Sequence, residues 1–343
     1  MGELQSLLSS LEEHSGKIVS CTDCSLYKTR NVAFPGIINP YSPIVFLVDC
    51  PTMKDDQEGK LFSGKFKSEN LEKCLRKASL ELLSASFIPV IKCFSDQEAK
   101  NNGVQLRESL ASCSRHLIKQ LSILKPKVVI SIGNISQSML YTPLLLWGIE
   151  IPKGYAAGRF KNNHFSLQKS RGRLYVANSF WNNRVLLSST WDVNSLTNFY
   201  SKKAYKTQLL KDFSLVGNGI RNFLYLYDNP KLRLERSLDL SKLRRVDTNS
   251  PIEIYDATPV IGKRFPYNKR YFSLYYRMPK EDLEKYDFAK RTDSQISWTT
   301  TTIGRKLTPK QIRHLCKSRR VHILRKKRDK LRNNQAAPTG TDL

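Results

Sequence analysis

Residues 43–64 read PIVFLVDCPTMKDDQEGKLFSG, an apolar run that stops at an acid and opens into a polar loop punctuated by Gly59 and Gly64. The run from Pro43 to Val48 is continuous rather than alternating, which predicts a strand buried on both faces. Working outward, residues 3–13 have the spacing of a short amphipathic helix, and Leu71, Leu75, Ala78 and Leu82 set a helical period over Glu69 to Ala85. Phe87 to Ile91 is the next strand pattern and residues 105–124 the next helical one. KVVISIG at 127–133 is a buried strand that runs into a helix. IPKGY at 151–155 opens a turn, and RLYVANSF at 173–180 reads as a further strand.

Strands alternating with helices predict an α/β domain with a central, mostly parallel sheet over residues 1–200. Ligands of such sheets bind at the carboxyl ends of the strands, which directs attention to the loops after Val48, Ile91, Gly133 and Ala177. Past Tyr200 tyrosines and phenylalanines alternate with basic residues, which predicts a small mixed module with β content over 201–280. A basic, mostly helical region follows over 281–332, and the polar tail 333–343 has a disordered composition. Tyr271, Phe272, Tyr275 and Tyr276 suit the core face of a strand, with base stacking as the alternative.

The formal net charge is +27, and residues 201–343 supply roughly 19 of it. The densest stretch, Arg305 to Arg332, holds Lys310, Arg313, Lys317, Arg319, Arg320, Arg325, Lys326, Lys327 and Arg328, with Asp329 as its one acid. Such a run favours a polyanion, most simply nucleic acid, by releasing counterions. A solvated basic tail, or a docking segment for a protein partner, is the alternative. No apolar run approaches the roughly 20 residues that span a bilayer, so no membrane association is expected. The start MGELQSLLSSLEEHSGK lacks a basic, then apolar, leader. An intracellular setting is expected, in cytoplasm or nucleoid, or inside a host cell for a viral chain. There cysteines serve as metal ligands or redox groups rather than disulfides.

Seven cysteines are present. Cys21 and Cys24 form a C-x-x-C pair, Cys93 ends the strand string VIKCF, and Cys113 lies in the helix that follows. Two thiolates from one loop and two from elsewhere can complete a four-cysteine site, for which zinc and a 4Fe-4S cluster are both compatible. Cys50, Cys74 and Cys316 are left over as ordinary thiols.

The string Cys21, Cys24, Leu26, Thr29 and Arg30, with Gly36 and the Asn39-Pro40 turn, resembles the opening of the family 4, iron-sulfur uracil-DNA glycosylases. The next motif of that family, GEAPG-x-x-ED-x-x-G-x-PF-x-G, aligns without a gap on VDCPTMKDDQEGKLFSG, keeping Pro51, Asp56, Gly59, Phe62 and Gly64, with Asp55 in place of Glu. Cys93 and Cys113 match the third and fourth cluster cysteines, and the resemblance runs from about residue 17 to near 200. It implies a three-layer α/β fold of the uracil-DNA-glycosylase type, a structural 4Fe-4S cluster on Cys21, Cys24, Cys93 and Cys113, and a DNA-facing surface around the motif loops.

The same resemblance assigns roles. The acid of the first motif helps activate water, an aromatic ring stacks on the base, an Asn ending the second strand reads the uracil edge, and a His-Pro-Ser motif stabilises developing charge. Asp49 takes the acid's place and Phe62 the ring's. Pro89 replaces the Asn, and proline has no side-chain group to read a base edge. NSFWNN at 178–183 aligns with the His-Pro-Ser strand, putting Phe180 at the His position with Trp181 and Asn182 after it; the nearest histidine is His164, upstream. Phe can neither donate to a departing base nor carry charge. The leading expectation is a DNA-binding protein built on a catalytically inactive glycosylase-like domain, serving replication, repair or transcription, including that of a virus or phage. The alternatives are an active DNA glycosylase of altered base specificity, and a non-catalytic assembly subunit that binds another protein.

Overall fold

The apolar run Ile44–Val48 forms strand β1 in a computed structural model of the chain, and all five of its residues are buried. The structure describes residues 2–80, 84–95, 103–152, 167–193, 203–228, 243–246 and 253–262. The basic run 305–332, the tail 333–343, the aromatic group at 271–276, His164, Leu82, Cys316 and the IPKGY turn beyond Pro152 lie outside the described residues.

Beside β1 stand β2 (Ser86–Pro89), β3 (Val128–Ile132), β4 (Leu174–Ser179), β5 (Asn182–Thr190), β6 (Arg244–Arg245) and β7 (Ile254–Asp256). They make one sheet in the order β2-β1-β3-β5-β4-β7-β6. The first four in that order run parallel, while β4 is antiparallel to β5, β7 to β4 and β6 to β7. The helices are α1 (Gly2–Val19), α2 (Met53–Glu58), α3 (Lys65–Ala78), α4 (Gly103–Leu124), α5 (Asn134–Leu140), α6 (Pro143–Trp147), α7 (Leu167–Ser170), α8 (Lys203–Asp228) and α9 (Thr258–Ile261).

Alternation along the strands divides the core in two. Ile44, Phe46 and Val48 of β1 join Val128 and Ile130 of β3 on one face, under Leu71 and Leu75 of α3 and Phe213 and Ile220 of α8. Val45, Leu47 and Val129 point the other way, under Ile18 of α1, Leu117 and Leu121 of α4 and Leu140 of α5. The result is the expected three-layer α/β arrangement, with central strands apolar on both sides because helices cover both. Among the described residues no helix is long and apolar enough to cross a membrane.

Local chemistry moves several element ends. The first helix continues to Val19 because Leu11, His14 and Ile18 extend its buried stripe. The helix expected to reach Ala85 stops at Ala78, where Ser79 adopts a left-handed conformation with φ 59° and the Leu80 amide donates to the Leu75 carbonyl. The loop expected after Val48 contains α2, nucleated by a reciprocal capping box between Thr52 and Asp55 and closed by Gly59 at φ 65°.

The largest difference is past residue 200. Residues 203–228, read by texture as part of a β-containing module, form one 26-residue helix. Leu209, Phe213, Val216, Ile220, Phe223 and Leu224 recur at helical spacing and all enter the core beside α3. The aromatics in FLYLY masked that period. β7 and α9 continue the same body, with the Ala257 amide donating to the Leu174 carbonyl at 2.9 Å. The core therefore does not stop at residue 200. Phe213→Ala is expected to destabilise the whole domain by about 3–5 kcal/mol in denaturant unfolding, as for other fully buried aromatics; a change below about 1 kcal/mol would show α8 to be an appendage.

Candidate functional site

Two groups of residues stand out, one at the carboxyl edge of the parallel strands and one behind it where the cysteines meet. At the edge, β1, β2, β3 and β5 end at Val48, Pro89, Ile132 and Thr190, with Val48 in register with both Pro89 and Ile132, and Ile132 with Thr190. The loop after Ala177 does not belong there, because β4 runs the opposite way; the loop after Thr190 does.

That reversal corrects the placement of NSFWNN. Phe180, Trp181 and Asn182 form the β4–β5 turn at the amino edge, where the Trp181 ring nitrogen donates to the Pro126 carbonyl at 3.1 Å and the Phe180 amide to the Leu146 carbonyl at 2.9 Å. The residues at the carboxyl edge of the last parallel strand are Thr190, Trp191 and Asp192. The signal was the pair of strand runs RLYVAN and RVLLSST split by only five residues, Ser179 to Asn183, the spacing of an antiparallel hairpin.

Asp49 follows β1 directly. Its Oδ1 accepts the Ser136 amide at 2.8 Å, so the carboxylate sits on the amino end of α5. Gly133, at φ 114°, leaves the space: a Cβ there would collide with the carboxylate. Burial pushes the Asp49 carboxyl above the usual range, opposed by the Ser136 hydrogen bonds and reinforced by Asp192. Pro89 stands beside it on the sheet's edge strand. The Val90 amide bonds the Val48 carbonyl at 2.8 Å, so the proline nitrogen faces away from β1 and its missing donor leaves the pairing intact. Phe62 is held at φ 60°, a strained value for a non-glycine residue. Its ring is 2% exposed and packs edge-on against Phe87 at 5.5 Å. The ring expected to stack on a base is thus buried against Phe87.

The second group gathers the four predicted cysteines. Cys24, Cys93 and Cys113 are buried in one apolar cluster, and Cys24 and Cys93 lie near enough to act electrostatically on both Cys21 and Cys113. All four are free thiols. Arg30 clamps the site: one guanidinium nitrogen donates to Cys93 Sγ at 2.9 Å, the other to the carbonyls of Cys21 at 2.6 Å and Val19 at 3.1 Å. The Lys92 amide approaches Cys113 Sγ at 3.5 Å, while Lys92 Nζ is buried on the Pro89 carbonyl and Gln120. Burial pushes the Cys113 thiol up to about 12, so holding it as thiolate needs a local positive charge of the kind a metal supplies.

His116 fits the same need and was not anticipated. It is buried, both its ring nitrogens lack a hydrogen-bond partner among the described residues, and a ring nitrogen lies within 4.8 Å of Cys21 Sγ and an Asp23 carboxylate oxygen. Burial lowers its pKa to about 4, leaving the neutral ring as donor or ligand. Its only sequence signal was its place one helical turn after Cys113. The donor set, thiols with an orphaned imidazole beside them, fits a thiolate-bound metal centre, iron-sulfur or zinc. Cys50 and Cys74, both buried, are not among these residues.

The family model described as the uracil DNA glycosylase superfamily matches residues 35–211. Among curated proteins, the chain is similar to a type-4 uracil-DNA glycosylase of Sulfurisphaera tokodaii, 26% identical over 172 residues that make up 49% of this chain and 68% of that protein. It is likewise similar to the type-4 uracil-DNA glycosylases of Archaeoglobus fulgidus, 27% identical over 39% of this chain and 65% of that protein, and Saccharolobus solfataricus, 29% identical over 39% and 60%. For the last two the chain spans less than two thirds of the relative's length.

Two outcomes follow from the geometry. Replacing Cys24, Cys93 or Cys113 with Ser is expected to remove bound metal, measured as metal per chain and visible absorbance, while Cys74→Ser keeps it; metal retained in all four variants would dissolve the four-cysteine site. A carboxyl whose folded pKa lies above its unfolded value holds its proton more tightly when folded, so its contribution to stability is full below the unfolded pKa and is lost as pH rises through the folded one. Asp49→Asn, which mimics the protonated form, should therefore gain stability relative to the parent chain between about pH 4 and about pH 7. Equal denaturation midpoint differences at both pH values would show that Asp49 ionises like a surface acid.

Proposed function

Because the chain belongs to the uracil DNA glycosylase superfamily, we propose that it is a DNA-binding protein that keeps the fold and metal centre of that superfamily and has lost uracil excision by its relatives' residues. Pro89 carries the reading. It occupies the carboxyl edge of β2 in register with Val48, one residue from Asp49, where a base edge would be read, and it offers no hydrogen-bonding side chain. Among the described residues the only histidines, His14 and His116, lie together at the cysteine group with ring centres 5.4 Å apart, not at the carboxyl edge. Loss of a single preorganised donor to developing charge lowers rate by about 10²–10³-fold.

In this proposal the four cysteines hold a 4Fe-4S cluster that pins the loops bearing them, with zinc as the alternative. The basic run 305–332 adds phosphate contacts or docks a protein partner, and the setting is intracellular, as suits reduced cysteines and DNA-acting relatives. A second reading, an active DNA glycosylase of altered base specificity, is favoured by Asp49, a carboxyl at the edge whose raised proton affinity suits a general base.

Single-turnover excision on uracil-containing oligonucleotides, with the chain in excess and binding measured on the same strands, separates the two. Binding without abasic product, at a rate at least about 10²-fold below an active type-4 enzyme, is the expected result. Excision that rises with pH through a value above the ordinary carboxylate range and vanishes in Asp49→Asn would overturn the proposal in favour of the enzyme.

A further inference from the structure

We infer that a cleft at the far end of the same sheet edge binds backbone phosphates of the DNA strand. The cleft has a volume of about 570 Å³, and Lys169, Arg171, Arg173, Arg244 and Arg245 line it against two carboxylates, Asp212 and Asp256. The inference deepens the DNA-binding reading and rests on it.

Sheet topology places the cleft. β4 is antiparallel to β5 and β6 to β7, so the starts of β4 and β6 and the end of β7 all face the edge at which β1 ends. Arg173 precedes β4, Arg244 opens β6, and Arg244 is in register with Asp256. Counting strands at about 4.8 Å each, β4 lies about 14 Å and β6 about 24 Å from β1 along the edge. A strand advancing about 3.4 Å per nucleotide would bring phosphates over the cleft some four to seven nucleotides from a base at Asp49.

The cations divide by how they are held. Arg171 is fixed: it pairs with buried Asp212 at 2.7 Å, and its guanidinium lies 4.0 Å from the centre of the Trp191 ring, which stacks on Tyr205. Gln208 donates to the same carboxylate at 2.9 Å. Arg173 and Arg245 make exposed pairs with Asp256 and Glu253 at 3.1 and 3.2 Å, weak enough to yield to a phosphate. Lys169 and Arg244 are exposed and make no ion pair among the described residues. A rigid floor with two uncommitted cations and two guanidiniums in loose pairs suits an extended polyanion, since guanidiniums match phosphate oxygens in pairs.

Arg244, Arg245 and Asp256 lie beyond residue 211, where the family match ends. The cleft is therefore made jointly by the shared domain and by a part of the chain that extends it.

The test uses the full-length chain with its metal centre intact and compares it with Lys169→Ala/Arg244→Ala. Binding to a 30-nucleotide fluorescent DNA is followed over a salt series, with metal content and unfolding midpoint as fold controls. The variant should bind about tenfold more weakly at low salt, and its log Kd against log salt slope should fall by about 2, as expected for two lost phosphate contacts. An unchanged slope on the long DNA overturns the inference. Calorimetric binding of inorganic phosphate or a mononucleotide to the parent but not the variant, with long-DNA binding unchanged, also overturns it and makes the cleft a free-nucleotide site. If the parent chain binds no DNA, the proposed function fails as well, which distinguishes that failure from failure of the cleft alone.

Discussion

Two adjacent buried carboxylates hold the cysteine cluster and the carboxyl edge of the sheet in one frame. Asp56 accepts the amides of Asn31 and Val32 at 2.9–3.1 Å, immediately after the cysteine-bearing loop, and Asp55 accepts the amides of Thr52 and Ser63 at 2.8 and 2.7 Å, at either end of the loop that leaves β1. Both are essentially inaccessible to solvent. A buried carboxylate survives only when its oxygens are saturated with donors, and backbone amides are donors that no side-chain substitution removes. α2 therefore acts as a staple: one acid grips the cysteine-bearing loop and its neighbour grips the edge. Arg30 continues the same chain of contacts into Cys93 and Cys21. The pair of acids in the motif is thus explained by tethering, before any chemistry at the edge is considered.

The antiparallel hairpin β4–β5 has a comparable consequence on the other half of the sheet. By reversing direction it removes Phe180 to the amino edge and delivers the start of β4 to the carboxyl edge, so that the later strands β7 and β6 add a basic wall in line with Asp49. Addition at this side of the sheet leaves the packing between β1, β3 and α4 undisturbed. A chain can lengthen its ligand edge in this way without rebuilding its core.

Legibility in the sequence followed how strongly each residue was constrained by its own neighbours. β1 and β3 were visible because strands covered on both faces must be apolar throughout, and α4 because its period spans 22 residues. The four cysteines were visible because thiols are rare and the C-x-x-C spacing is short. The direction of β4 was not, since an apolar run carries no arrow and only the turn at 180–182 encodes the reversal. α8 was hidden because its buried Phe213 and Phe223 sit among tyrosines and basic residues that also suit a strand, and the burial that decides between them is long-range. The packing of Phe62 against Phe87 is a tertiary fact that no local string contains.

Asp49 and Pro89 weigh differently as witnesses to chemistry. Asp49 does structural service whether or not any base is cleaved: it satisfies an amide at the start of α5 and fills the space that Gly133 leaves, so its presence is explained without catalysis. Pro89 is a different case: it is buried in β2 with its nitrogen facing away from β1, so a proline fits there without removing a ladder hydrogen bond. A proline at that point brings no side-chain hydrogen-bonding group to the carboxyl edge and leaves the strand and its register with β1 intact.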